Sequence, residues 1–210
     1  MLIIYYEETL IISNVLLSLP QNYYGEVTMS INRKSFDLGY KIIHWLMAAL
    51  VLLMFFGIVG FAQAITDEER MEMLVGHSSI GTLISIFVII RIYKRFIRKD
   101  AVPDQKISKI QRKASLAVQY AIYFLLVFIP FSGYLSASFH ELPVMVFGNI
   151  NINYGREFNQ NLFESLRVIH QLGIYSLMGL LILHIGAALL HGIVMRDGVL
   201  GSMTRFKKTI

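Results

Sequence analysis

Four stretches of this chain are apolar for long enough to cross a lipid bilayer as helices, and no other feature narrows its folding options as much. Crossing the ~30 Å hydrocarbon core takes about 20 mostly apolar residues in a helix, because lipid offers no partner to an unpaired backbone group. The stretches are residues 40–64, 75–92, 117–137 and 168–195. A mean hydropathy of +0.58, with 55% apolar and only 16% charged residues, excludes a disordered or ordinary soluble chain. No strand alternation competes. The expected fold is all-α, an integral membrane four-helix bundle joined by a short acidic loop (65–74), a basic loop (93–116) and a longer loop (138–167) rich in Gly and Asn.

Basic loops are retained in the cytoplasm, so the placement of Lys and Arg sets the orientation. Sixteen of the 19 fall on one side: Arg33, Lys34 and Lys41 before or at the first span, nine between Arg91 and Lys113, and Arg196, Arg205, Lys207 and Lys208 after the last. The other side has Arg70, Arg156 and Arg167 against seven carboxylates, among them Asp67, Glu72, Glu141 and Glu157. Both termini of this multi-pass membrane protein are therefore expected in the cytoplasm. The net charge of +5 is accounted for by these loops, which anchor on anionic lipid, and calls for no nucleic-acid partner.

Residues 1–28 fit this plan badly. They are apolar but interrupted by Glu7 and Glu8, have no basic leader and end in no small-residue cleavage site. Met29 opens a more conventional start, Met-Ser-Ile-Asn-Arg-Lys, directly before the first span. The expectation is that Met29 is the initiator and 1–28 a start-site artefact, or an interfacial helix if genuine, with the four-helix domain at 29–210.

With no cysteine, thiolate metal sites, disulfides, covalently attached haem and cysteine nucleophiles are all excluded. What remains for demanding chemistry is six histidines, four of them inside spans: His44, His77, His170 and His184. Ionisable or ligating groups inside a membrane are costly and mark function by default. His77 follows Glu72 by five residues and His170 follows Arg167 by three, so both lie within about 10 Å of the acidic face. His184 comes 14 residues after His170, about 21 Å deeper and about 40° off the same helix face. His44 enters from the basic face and reaches that second level. Two imidazole pairs stacked across one bundle interior are the ligand set of two six-coordinate b-type haems, each iron bound by histidines from facing helices.

Several other residues have two readings each. Gly57, Gly60, Gly81, Gly133, Gly173, Gly179 and Gly186 allow either close helix packing or close approach of a macrocycle. Arg91, 14 residues after His77, is a haem-propionate partner or a snorkelling arginine. His191, two turns beyond His184, contacts a propionate or a quinone carbonyl, or snorkels. His140 reads as a solvated loop residue.

These pieces together resemble the bacterial cytochrome b-561 family, four-helix di-haem membrane proteins related to the cytochrome b subunits of nickel-iron hydrogenases. The matching segments are Tyr40-Lys41-Ile42-Ile43-His44-Trp45, Gly76-His77-Ser78-Ser79-Ile80-Gly81 followed by Arg91, Pro130-Phe131-Ser132-Gly133-Tyr134, and His170-Gln171-Leu172-Gly173 leading to Leu183-His184-Ile185-Gly186 and His191. They span about Ser35 to Met203. The resemblance implies two haem b groups, His44 with His184 and His77 with His170 as their axial ligands, and electron exchange with ubiquinone or menaquinone. Oxidation of superoxide at the outer face, known in the family, sits awkwardly with the acidic outer loops. The reading is a quinone-linked oxidoreductase taking electrons from an outer-face small molecule or protein. The alternatives are an electron-transfer subunit of a separate dehydrogenase or hydrogenase, and a non-redox transporter or scaffold.

Overall fold

A computed structural model describes residues 35–97, 107–140 and 142–205. The N-terminal extension with Met29, and Arg33, Lys34, Arg98, Lys99, Lys106, Glu141, Lys207 and Lys208, lie outside the described residues. Four long helices form the molecule: α1 (Leu38–Gln63), α2 (Asp67–Ile92), α3 (Lys109–Ser138) and α4 (Gln160–Leu189). All four are long and apolar enough to cross a membrane. A π-helical turn, Tyr93–Ile97, extends α2, and another, Leu190–Met195, extends α4. The short helix α5 (Val199–Thr204) follows.

Three helices begin about eight residues before their apolar stretches, because polar caps nucleate them outside the hydrocarbon. Thr66 and Glu69 form a reciprocal capping box at α2, Ser108 and Gln111 form one at α3, and the Asn159 side chain accepts from Leu162 N–H at α4. This corrects the acidic loop expected at 65–74. Only Ala64, Ile65 and Thr66 connect α1 to α2, and Asp67, Glu68 and Glu69 occupy the first turn of α2, where the helix dipole favours negative charge.

The third connection holds a hairpin that the sequence reading did not anticipate. Strand β1 (Met145–Val146) pairs antiparallel with β2 (Ile150–Asn151) through a turn in which Gly148 takes φ 74°. Ser78 and Ser79 of α2 pin it, both donating to the Met145 carbonyl at 3.0 and 3.1 Å. Strands of two residues carry no alternation to read.

Helix α3 packs most extensively on α4 and α1 on α2, with α2 against α3 joining the two pairs. The core where all four helices meet is Met47, Val51, Ile84, Val88, Leu125, Leu126 and Leu177. Val51 lies seven residues beyond His44, Ile84 seven beyond His77, and Leu177 midway between His170 and His184. The core is thus an apolar layer at mid-depth, with one histidine level on either side. Outward surfaces stay apolar: Phe56, Phe124 and Ile182 are 72%, 63% and 67% exposed. A soluble protein does not leave such a belt to water, whereas acyl chains cover it without cost.

Candidate functional site

The structure brings the four intramembrane histidines together in two pairs. His77 of α2 faces His170 of α4 with ring centroids 6.2 Å apart, and His44 of α1 faces His184 of α4 at 6.3 Å. Within each pair the ring planes cross at 67° and 68°. Among the described residues no hydrogen bond joins the two rings of either pair, so they are not simply tying helices together. Each pair spans a gap, because α4 has no extensive backbone packing on α1 or α2.

The gap has the dimension of a metal between two imidazoles. A metal–imidazole bond is about 2 Å. A five-membered ring of ~1.35 Å bonds has its centre about 1.15 Å from each atom. Two imidazoles on opposite sides of one metal therefore have centres about 6.3 Å apart, the value seen at both levels.

At the acidic-end pair, His170 Nδ1 donates to the Ile129 carbonyl at 2.9 Å, with Ser132 Oγ at 3.2 Å. That bond keeps the proton on Nδ1 and leaves the Nε2 lone pair free, the tautomer a ligand needs. Gly133 is required beside it: a Cβ there would sit 3.0 Å from His170 Cε1. His77 and His170 both line an apolar cavity of about 90 Å³ with Gly81, Ile84 and Leu177. A second cavity of about 330 Å³ runs along His77 between α1 and α2, past Gly57 and Gly76.

The glycines separate into two groups. Gly60, Gly133 and Gly173 meet Met73, His170 and Ile129 closely, as helix packing requires. Gly57, Gly81, Gly179 and Gly186 have no atom within 4 Å of where a Cβ would be. Beside Gly57 and Gly81 that space is the cavities against His77, a cradle a side chain would fill.

At the basic-end pair, Arg91 lies in the interior. Its guanidinium donates from Nε to Tyr123 Oη at 2.9 Å, rests 4.7 Å from the Tyr40 ring centre, and approaches His44 Nδ1 at 2.6 Å. Tyr40 and Tyr123 share a 3.1 Å hydrogen bond. Arg91 has no carboxylate partner among the described residues. Sequence reading placed Tyr40 in a matching segment without a role and missed Tyr123, which only the approach of α3 brings within reach.

His191 sits on the π-helical turn after α4, and its Nδ1 hydrogen-bonds the carboxylate of Asp197. Asp197 was also missed, although it is the sole carboxylate after Glu164. Burial alone would raise the Asp197 carboxyl. The hydrogen bonds from His191 and from Val199 N–H outweigh that and hold it below the usual carboxylate range. His140 corrects the solvated-loop expectation: it is half-buried, with its ring centre 4.3 Å from that of Phe163 and 5.3 Å from that of Phe158.

Four membrane-competent helices enclosing imidazole pairs at two depths have the architecture of a helical membrane cytochrome. The chain belongs to the prokaryotic cytochrome b561 family, whose model matches residues 35–206. It is similar to cytochrome b561 homolog 2 of Escherichia coli (strain K12), 29% identical over 161 residues that cover 76% of this chain and 86% of that protein. It is therefore a multi-pass bacterial membrane protein and a cytochrome b of electron transfer, and the family implies b-type haem.

Proposed function

We propose that the protein is a di-haem cytochrome b that passes electrons across the inner membrane, from a donor at its acidic face to quinone at its basic face, with both termini cytoplasmic. The observation that carries this reading is the pair of imidazole gaps, 6.2 and 6.3 Å between ring centres, set on either side of the apolar mid-layer.

His77 with His170 would hold one haem and His44 with His184 the other. A bound haem supplies a one-electron carrier whose potential the protein tunes through its ligands, charge and burial. The chain's own residues do the rest. Ile129 and Ser132 hold His170 in the ligating tautomer, while the mid-layer of Val51, Ile84 and Leu177 keeps water and ions from crossing. Arg91 is a cation without a carboxylate partner among the described residues, which fits a role against haem propionates. A guanidinium only donates, so its contact with His44 Nδ1 leaves that ring's proton on Nε2. Ligation through Nε2 requires Arg91 to turn to another acceptor, and propionates are acceptors of that kind. His191, two turns past His184, supplies the proton that quinone reduction needs.

Asp67, Glu68, Glu69, Glu72, Glu157 and Glu164 outnumber Arg70, Arg156 and Arg167 at the acidic end, and the guanidiniums of Arg156 and Arg167 lie over Phe139 and Phe163. This field disfavours an anion such as superoxide and favours a neutral or cationic donor. Service to a separate dehydrogenase remains the second reading, supported by Phe147, Ile150 and Tyr154, exposed on the loop at that end.

Proteoliposomes loaded with ferricyanide and treated outside with a membrane-impermeant reductant test the reading. Internal ferricyanide is reduced when the wild type is present and not with His184→Ala. Equal rates with and without the wild-type protein would refute transmembrane transfer.

A further inference from the structure

We propose that Asp197 is a positioning residue that makes His191 the proton donor and acceptor for quinone at the basic end. This rests on the quinone-linked reading above. The backbone is shaped to bring the two together. The π-helical turn Leu190–Met195 re-aims His191 at the end of α4, a feature frequent at functional sites. Arg196 (φ 51°) and Gly198 (φ 87°) then reverse the chain so that Asp197 comes back beneath the imidazole.

Both side chains are mostly covered, 15% exposed for His191 and 11% for Asp197. Asp197 Oδ2 takes His191 Nδ1 while Oδ1 accepts from Val199 N–H at 3.1 Å, so the carboxylate is held from two sides. His191 Nε2 has no protein partner among the described residues. A carboxylate on Nδ1 fixes the tautomer and the orientation of the ring and leaves Nε2 as the exchanging atom. Charged groups on the neighbouring elements have partners of their own: Arg196 Nε donates to the Ile193 carbonyl, Lys41 donates to the Arg205 carbonyl, and the Asp37 carboxylate accepts from Tyr40 N–H and pairs with Lys94. None of these presents a second carboxylate to His191.

Quinone becomes quinol by taking two electrons, delivered from the donor through the cytochrome, and two protons. For each proton the Nε2–H bond of the imidazolium breaks and an O–H bond forms on a quinone oxygen. Nε2 then takes a proton from water at the basic face, so two cycles supply both protons.

Asp197→Asn keeps an oxygen for the Val199 N–H bond that pins α5, while it removes the charge and turns an amide group toward His191, which separates positioning from simple pinning of α5. The reduced holoprotein is mixed with a short-chain ubiquinone analogue across pH 5–9 and, separately, with ferricyanide, which accepts an electron without a proton. The expectation for D197N is reoxidation by the quinone slowed about 10-fold or more, with an altered pH profile and an unchanged ferricyanide rate. D197E restores the quinone rate, and H191Q/D197N is no slower than H191Q. Histidine side-chain ¹⁵N resonances show His191 protonated at Nδ1 in the wild type and a tautomer mixture in D197N. Wild-type quinone rates in D197N, or equal slowing with both oxidants, overturn the proposal. Wild-type protein oxidised by ferricyanide but not by quinone overturns the quinone reading, and this inference with it.

Discussion

A methyl group at Gly133 would press on His170, whose ring is already held by the Ile129 carbonyl and cannot swing aside freely. Gly133→Ala is expected to perturb the acidic-end centre alone, shifting or removing one low-spin haem signal in the EPR spectrum while the other persists. Gly57→Ala tests the open space beside His77 from the other direction. With no atom within 4 Å of the new Cβ, the bare protein should tolerate it, so a loss of haem without a loss of fold, seen by circular dichroism, would mark that space as cofactor volume. The four intramembrane histidines were legible in the sequence because depth along a helix is simple arithmetic at 1.5 Å per residue. Tyr123, Asp197 and the Ile129 carbonyl were not, since their roles depend on how helices approach one another and on a π-turn that no periodicity announces.

The caps decide where each element starts, and they are separable from the apolar runs that decide that it exists. Thr66→Ala removes one half of the capping box at α2, at an expected cost of about 1 kcal/mol. In detergent this should appear as a melting temperature lower by roughly 2–4 °C, with no change in haem content. Hydropathy locates the hydrocarbon-buried part of a helix and is blind to polar turns beyond it, which is why α2, α3 and α4 were read about eight residues short. At α5 the sign of the pH effect follows from Asp197, whose carboxyl is held below its ordinary value of 3.8. A depressed carboxyl stabilises the folded state above its unfolded value, and that contribution is lost as pH falls through the lower, folded one. Protection factors for amide exchange in residues 199–204, taken against intrinsic exchange at each pH, should therefore show no loosening from the Asp197 carboxyl between pH 8 and 5, and fall below about pH 4. Loosening on that account above pH 5 would contradict the assignment.

Taken as a whole, the molecule divides along the membrane normal into an acidic end with His77 and His170, an apolar layer around Val51, Ile84 and Leu177, and a basic end with His44, His184 and Arg91. Fold class and this layering were readable from four apolar runs and the distribution of charge. The hairpin at Met145–Asn151 was not, because its strands are two residues long and it docks on Ser78 and Ser79, far away in the sequence. The central claim is that each layer of histidines holds its own haem. Haem per polypeptide, measured by pyridine haemochrome on wild type, His77→Ala and His44→Ala, tests it most directly. The account predicts two haems in the wild type, both low-spin, and one in each variant, with a different centre surviving in each. One haem or fewer in the wild type, or loss of the same centre in both variants, would contradict it.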